Sequence, residues 1–164
     1  MRTAYFDCFS GVSGDMTLAA LLACGADETA FRDRLGALNV PGYTLVIQRV
    51  TRLGITATDV NVVLLDADQQ HRRHLSDIAA ILDSSSLPPR VHQNALAVFT
   101  RLADAEAKIH GTTREQVHFH EVGAVDALVD IVGSCLLLDT LGVERVIPSS
   151  IPCGHGTIQC QHGI

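Results

Sequence analysis

The chain opens with a short apolar segment, a glycine-rich turn and the start of a helix. Residues 3–9 have the apolar content of a buried strand, Ser10 to Gly14 form the turn, and Asp15 leads into an apolar run. A strand that feeds a helix through a short loop is typical of folds in which helices pack on a sheet. The N-terminal segment therefore favours a layered arrangement of helices and strands.

Hydrophobic periodicity and the positions of glycine and proline indicate the remaining elements. We predict helices over 27–38, 75–82, 89–110 and 124–141, an antiparallel hairpin of strands 43–50 and 55–65, and a last strand over 143–147. Residues 148–164 show no periodicity and form a tail. The fold class expected is α/β, with α+β as the alternative, in which helices pack on a small mixed sheet. A chain of 164 residues fits a single domain of this kind.

Composition and charge narrow the classes of partner. Hydrophobic residues make up 47% of the chain and aromatic residues 4%, which predicts a globular core of aliphatic side chains. The formal net charge of -6 argues against nucleic acid or an anionic membrane. Five cysteines are an odd number, and Cys24 and Cys135 fall in apolar helical patterns, as in a reducing compartment. No apolar run reaches membrane-spanning length, so we expect a cytoplasmic protein. The sequence leaves open whether the protein is a monomer or a homo-oligomer.

The first candidate site is the glycine-rich turn. Its candidate phosphate- and substrate-binding residues are Asp7, Ser10, Gly11, Ser13, Gly14 and Asp15. Free N–H groups at a helix start favour an anion, and glycines allow its close approach. Two carboxylates would repel a bare phosphate, so the pattern indicates a divalent cation between them and the anion. The alternative is that Ser13 or Asp15 only caps the helix.

The second candidate site joins a His-Phe-His-Glu segment to the helix that follows it. Its candidate metal ligands are His118, His120, Glu121, Asp126 and Asp130. If residues 118–120 are extended, both imidazoles lie on one side, while the two aspartates, four residues apart, share a helix face. Carboxylates in an apolar helix are costly unless a cation or a donor compensates them. Imidazole and carboxylate together suit nickel, zinc, iron or manganese. The alternative is a helix-start aspartate with a hydrogen-bonded core histidine.

The third candidate site is a Cys/His tract in the tail. Its weaker candidate ligands are Cys153, His155, Cys160 and His162, and their spacing is only loosely similar to a zinc knuckle. The other histidines before the 75–82 helix, His71 and His74, are interpreted as solvated loop residues.

Taken together, these segments resemble the LarC family of nickel-insertion proteins over nearly the whole chain. The resemblance is carried by the segments 5–16, 74–78, 102–111 and 117–133, the last of which is the most specific. The polar positions of the family motif fall here on Asp7, Ser10, Ser13, Asp15, His118, His120, Glu121, Asp126, Asp130 and His162. One departure is that family members often have a longer histidine-rich stretch before the position of residue 75, whereas this chain has only His71 and His74. This difference argues against a nickel-collecting loop there.

The resemblance implies a function that composition and spacing do not. It implies a cyclometallase of the lyase class that inserts nickel into pyridinium-3,5-bisthiocarboxylic acid mononucleotide, forming nickel–carbon and nickel–sulfur bonds. It also implies that CTP is consumed and that manganese or magnesium assists. In the family, a further nucleotide-associated domain follows the part that resembles this chain. Residues 1–164 are therefore expected to be a truncated N-terminal domain with a tail over 148–164, and alone to be unable to use CTP.

Three other functions stay open at the level of sequence. The chain could be a nickel-holding module that carries out no chemistry of its own. It could be a metal-dependent phosphohydrolase in which Asp7 and Asp15 hold magnesium. Finally, the polar clusters could serve only to stabilise helix starts in a scaffold.

Overall fold

The computed structural model describes residues 1–65, 73–119 and 123–157. Its strands are β1 (Thr3–Phe6), β2 (Tyr43–Arg52), β3 (Ile55–Leu64) and β4 (Arg145–Pro148). Its helices are α1 (Gly14–Ala23), α2 (Glu28–Gly36), α3 (Leu75–Ser84), α4 (Pro89–His110) and α5 (Val125–Thr140). The predicted α/β class is confirmed, and each predicted helix and strand is present with ends shifted by a few residues.

The strands form two separate ladders within the described residues, whereas the sequence suggested one small mixed sheet. β1 pairs in parallel with β4, with Thr3 opposite Arg145. β2 and β3 form the predicted antiparallel hairpin, with Arg52 opposite Ile55 across a two-residue turn. Periodicity predicts strands one at a time, but the choice of partner depends on how the helices pack between them.

Local signals explain where the helices begin and end. Asp27 precedes α2 and its side chain accepts a hydrogen bond of 2.7 Å from the Ala30 N–H, which satisfies one free donor of the first turn. Pro89 is the first residue of α4, where its missing N–H costs nothing. That helix ends at Gly111, which adopts a left-handed conformation with φ of 61°.

The core lies around α5, whose inner face carries the fully buried Val129, Val132 and Leu137. α1 packs against this face and also against β3. The close approach of α1 depends on Gly133, since a Cβ added there would lie 2.9 Å from Cδ2 of Leu18. As predicted, the core is mostly aliphatic.

Phe119 is one of the few aromatic core residues, and it anchors the loop that precedes α5. It is 1% exposed, and its ring centroid lies 6.4 Å from that of Phe99 in α4. Its backbone N–H donates to the Arg73 carbonyl at 3.1 Å. The loop that carries His118 is therefore attached both to the core and to the start of α3.

Candidate functional site

The turn after β1 is held in place by the segment after β4. The Cys8 N–H donates to Oγ of Ser149 at 2.8 Å, and the Ser149 N–H donates to the Phe6 carbonyl at 2.8 Å. Cys8 itself is buried, whereas Asp7 and Ser10 are exposed. The turn therefore presents its polar side chains to solvent from a fixed backbone. Sequence reasoning did not single out Ser149, because its role depends on the parallel pairing of distant strands.

The start of α1 leaves its helix N-terminus without a side-chain cap from Ser13. The Ser13 hydroxyl instead donates to Oδ1 of Asp15, and the same oxygen accepts a 2.8 Å hydrogen bond from the Met16 N–H. The alternative in which Ser13 caps the helix is therefore wrong, while Asp15 satisfies one donor of the first turn. Ser13 and Asp15 are both exposed, so the positive end of the helix dipole can be reached from solvent.

Asp130 links the first two candidate sites. It lies in the second turn of α5, and its carboxyl group packs directly against Gly14, the first residue of α1. A Cβ added at Gly14 would overlap the Cβ, Cγ and Oδ2 atoms of Asp130. Glycine is thus required at this position, and the reason is the neighbouring carboxyl group rather than backbone conformation. Periodicity could not have revealed this contact, because α1 and α5 are more than a hundred residues apart.

The carboxyl group of Asp130 is in an unfavourable environment. Its Oδ1 atom is buried and has no hydrogen-bond partner among the described residues. The pKa of Asp130 is raised from 3.8 to about 6, first by burial of the carboxyl group and then by the charges of Asp15 and Asp126. A cation would stabilise ionised Asp130, because its buried Oδ1 lacks a donor among the described residues and the charges of Asp15 and Asp126 act on it.

Asp126, the other aspartate of the predicted pair on α5, lies in a more exposed environment than Asp130. Asp126 is exposed, and its Oδ1 accepts a 2.8 Å hydrogen bond from the Ala127 N–H. This contact satisfies a free donor in the first turn of α5, which is the role the alternative interpretation assigned to it. Its charge also raises the pKa of Asp130, while its role as a metal ligand stays a prediction.

His118 lies on the loop before α5 and stacks against His74. The two ring centroids are 3.9 Å apart, and the ring planes are tilted by 44°. The interpretation of His74 as a solvated loop residue is wrong. It is the residue before α3, it is half-buried, and its Nδ1 hydrogen-bonds to the Val117 carbonyl at 2.8 Å. The acidic Asp77 three residues later is a helix-start signal that could have revealed this position.

Several predicted ligands fall outside the part of the chain that the structure describes. These are His120, Glu121, Cys160 and His162, together with His71. Of the tail candidates that are described, Cys153 and His155 are exposed. Within residues 1–65, 73–119 and 123–157, no group of three or more His, Cys, Asp or Glu side chains is arranged to hold a metal ion. The ligands at His118, Asp126 and Asp130 stay predictions.

An open cleft of about 340 Å³ lies between β1 and α1. Gly11 and Val12 of the turn line it, together with apolar side chains such as Phe6 and Met16. The predicted site residue Asp7 also lines this mostly apolar cleft. Among the helices described, none combines the length and the apolar character needed to cross a bilayer.

Comparison with known proteins agrees with the motif assignment. The family model described as nickel insertion protein matches residues 4–164. A putative nickel insertion protein of Citrifermentans bemidjiense is 50% identical over 163 residues, covering 99% of this chain and 42% of the relative. A pyridinium-3,5-bisthiocarboxylic acid mononucleotide nickel insertion protein of Desulfitobacterium hafniense is 49% identical over 164 residues, covering 100% of this chain and 40% of the relative.

A third relative, from Acetivibrio thermocellus, carries the same description as the Desulfitobacterium protein. It is 44% identical over 170 residues, covering 99% of this chain and 42% of the relative. The chain thus spans about two fifths of the length of these curated relatives. No solved structure matches. With the family model matching almost every residue and identity near one half, this chain belongs to the nickel insertion protein family.

Proposed function

We propose that the starts of α1 and α5 form a site that takes part in inserting nickel into pyridinium-3,5-bisthiocarboxylic acid mononucleotide. The single observation that carries this proposal is the packing of the Asp130 carboxyl group against Gly14. This contact brings the predicted phosphate turn next to Asp130, one of the predicted metal ligands. Two relatives of this chain are named for insertion of nickel into this mononucleotide.

The phosphate of the mononucleotide would bind at the turn between Ser10 and Gly14. The exposed N-terminus of α1 supplies N–H groups and the positive end of its dipole, and the exposed hydroxyl of Ser10 adds a donor. The carboxylates of Asp15 and Asp130 lie close enough to influence each other. Because both are negatively charged when ionised, they repel an anion bound at the turn. A divalent nickel ion held by these carboxylates would offset that repulsion, so cargo and substrate favour each other's binding.

Carboxylates suit the temporary binding of nickel in this site. Carboxylate oxygens are hard ligands, whereas the sulfur atoms of the thiocarboxylate groups are soft and bind nickel more strongly. Nickel placed at Asp130 would therefore pass to the substrate and would not be retained by the protein. Oδ1 of Asp130 has no hydrogen-bond partner among the residues that the structure describes, which supports this role, since a ligand already hydrogen-bonded to the protein would have to give up that bond first.

The resemblance also implies CTP and a manganese or magnesium ion, and we assign both mainly to the part of the longer relatives that lies outside their match to this chain. By donor chemistry, the oxygens of Asp15 and Asp130 would also suit such an ion, which prefers oxygen ligands. When bound with CTP, that ion supplies charge neutralisation for the phosphates. We expect calorimetric titration of CTP with manganese into this chain to give no binding heat.

The proposal is tested by replacing Asp130 with asparagine in the complete protein. Asp130→Asn keeps the size of the side chain and removes its charge, so we expect nickel incorporation into the mononucleotide to fall by at least about tenfold. The matched control is Asp33→Asn, which removes an exposed carboxylate from the surface of α2. Equal nickel incorporation by the two variants would remove Asp130 from the insertion reaction.

A nickel-holding module without chemistry of its own is the alternative that this experiment separates. Such a module would bind nickel in a titration of the isolated chain, and Asp130→Asn would weaken that binding without any change in cofactor formation. No observation favours the metal-dependent phosphohydrolase. Release of phosphate from mononucleotides in the presence of magnesium would be needed to restore it.

A further inference from the structure

The stacked histidines before α3 and α5 lie outside the Asp130 site. Their ring centroids are 3.9 Å apart, and the planes are tilted by 44°. We propose that His74 and His118 form a two-imidazole site that holds a divalent nickel ion. The proposal rests on the proposed function only in taking nickel as the cargo, because imidazole pairs bind several first-row divalent ions.

The hydrogen bond of His74 prepares this side chain to act as a ligand. A carbonyl oxygen can only accept, so the 2.8 Å contact between Nδ1 of His74 and the Val117 carbonyl requires the proton to be on Nδ1. The lone pair of a neutral His74 is then on Nε2. Histidines that bind metals usually donate their second ring N–H to a carbonyl or a carboxylate in this way, which fixes the tautomer and the ring orientation.

The backbone around both histidines is held by contacts that do not involve their Nε2 atoms. The His74 N–H donates to Oδ2 of Asp77 at 2.8 Å, which fixes the start of α3. Arg73 accepts from the Phe119 N–H at 3.1 Å and donates through Nη1 to the Gly123 carbonyl at 2.6 Å. These contacts on both sides of the His118 loop keep the two imidazoles next to each other, and His118 turns out of the stack when it binds an ion.

Burial differs between the two imidazoles in a way that suits capture and release of an ion. His74 is half-buried and orientated by Val117, whereas His118 is exposed and can rotate towards an ion that arrives from solvent. Two protein ligands leave the other coordination positions to water, so the site is open to exchange. Asp77 adds a negative charge close to His74, and the neighbouring Arg73 guanidinium balances part of this charge.

The alternative is that the rings stack only to stabilise the loop. The two cases differ in one measurable property, because stacking alone gives no affinity for nickel. The structure also provides matched variants: His118→Gln changes an exposed side chain, and His74→Gln removes the half-buried member of the pair. His92→Gln removes a histidine that pairs with Asp83 at 2.8 Å on the other side of α3 and serves as the control.

The experiment is nickel titration of this chain by calorimetry, together with imidazole NMR signals of the same samples. We expect nickel to broaden the His74 and His118 signals first, because nickel is paramagnetic. We expect His118→Gln and His74→Gln each to weaken this binding by about 10- to 100-fold, and His92→Gln to leave it unchanged. Thermal unfolding of each variant separates lost binding from lost folding, and His118→Gln carries the test if His74→Gln unfolds.

The variants distinguish this proposal from the one at Asp130. Asp130→Asn should leave nickel binding at the histidine pair intact, even if it abolishes insertion. Unchanged nickel affinity in a folded His118→Gln variant overturns the histidine site, whatever Asp130→Asn does. Lost affinity in His118→Gln combined with normal insertion by Asp130→Asn supports the histidine site and rejects the Asp130 proposal.

Discussion

Replacing Asp130 with asparagine should stabilise the folded chain at neutral pH. The pKa of this carboxyl group is raised from 3.8 to about 6, first by burial and then by the charges of Asp15 and Asp126. A raised carboxyl pKa means that the folded state opposes ionisation more than the unfolded state does. Ionised Asp130 therefore lowers the free energy of unfolding, and asparagine removes that cost without changing the size of the side chain.

The magnitude follows from the size of this pKa change. A difference of about 2 in pKa corresponds to about 3 kcal/mol between the two protonation states. Solvent screens the half-buried carboxyl group, and the N-terminal dipole of α1 beside it favours the anion by about 0.3–1 kcal/mol. We therefore expect a gain of about 1–2 kcal/mol at pH 7, or about 2–8 °C in Tm for a chain of this length.

The sign of the pH dependence provides the sharper test. Below pH 3.8 Asp130 is protonated in both states and costs nothing. As the pH rises from 3.8 to about 6, only the unfolded state releases the proton readily, so the free energy of unfolding of the wild type falls. Asp130→Asn lacks this contribution. Its advantage should appear between these values and be complete above pH 7.

The assay is equilibrium urea unfolding at pH 4 and pH 7 for the wild type, Asp130→Asn and the exposed-site control Asp33→Asn. The expected result is near-equal stability of the wild type and Asp130→Asn at pH 4, and a difference of about 1–2 kcal/mol at pH 7. Asp33→Asn should follow the wild type at both values. An Asp130→Asn variant no more stable than the wild type at pH 7 would refute the electrostatic argument.

Other predictions concern glycines and the hairpin turn. Gly14→Ala should lower the free energy of unfolding by about 1–3 kcal/mol, because the added methyl overlaps the Asp130 carboxyl group, and wild-type stability in a urea titration would contradict that packing. Gly133→Ala should cost a similar amount, since its Cβ would lie 2.9 Å from a core side chain. Gly36→Ala should not destabilise the chain, because a Cβ added there has no other described part of the chain within 4 Å. Equal losses of stability in Gly133→Ala and Gly36→Ala would argue against close helix packing at Gly133. Leu53→Asn should raise stability by about 1 kcal/mol, because φ of 51° at this fully exposed turn residue suits asparagine better than leucine; no rise in Tm would reject this reasoning.

The helices could be read from the sequence because their signals are local. Pro89 and Gly111 mark the two ends of α4 by what their backbones can and cannot do, and Asp27 caps α2 through a side chain three residues from its donor. The hairpin between residues 43 and 64 was predictable for the same reason, since β-favouring runs flank a short break. The family, too, was recognisable from the order of its polar motifs.

Strand pairing and the chemical environment of Asp130 depended on tertiary contacts. The parallel ladder of β1 and β4 joins residues about 140 positions apart, and no local pattern specifies such a pair. Asp130 is one of many aspartates until α1 packs beside it and its Oδ1 is buried with no partner in the described part of the chain. His74 is likewise an ordinary polar residue until the loop before α5, anchored by Phe119, brings His118 into stacking contact with it. Local propensity acts over a few residues, whereas burial, charge coupling and ligand geometry arise from side chains that only the folded core brings together.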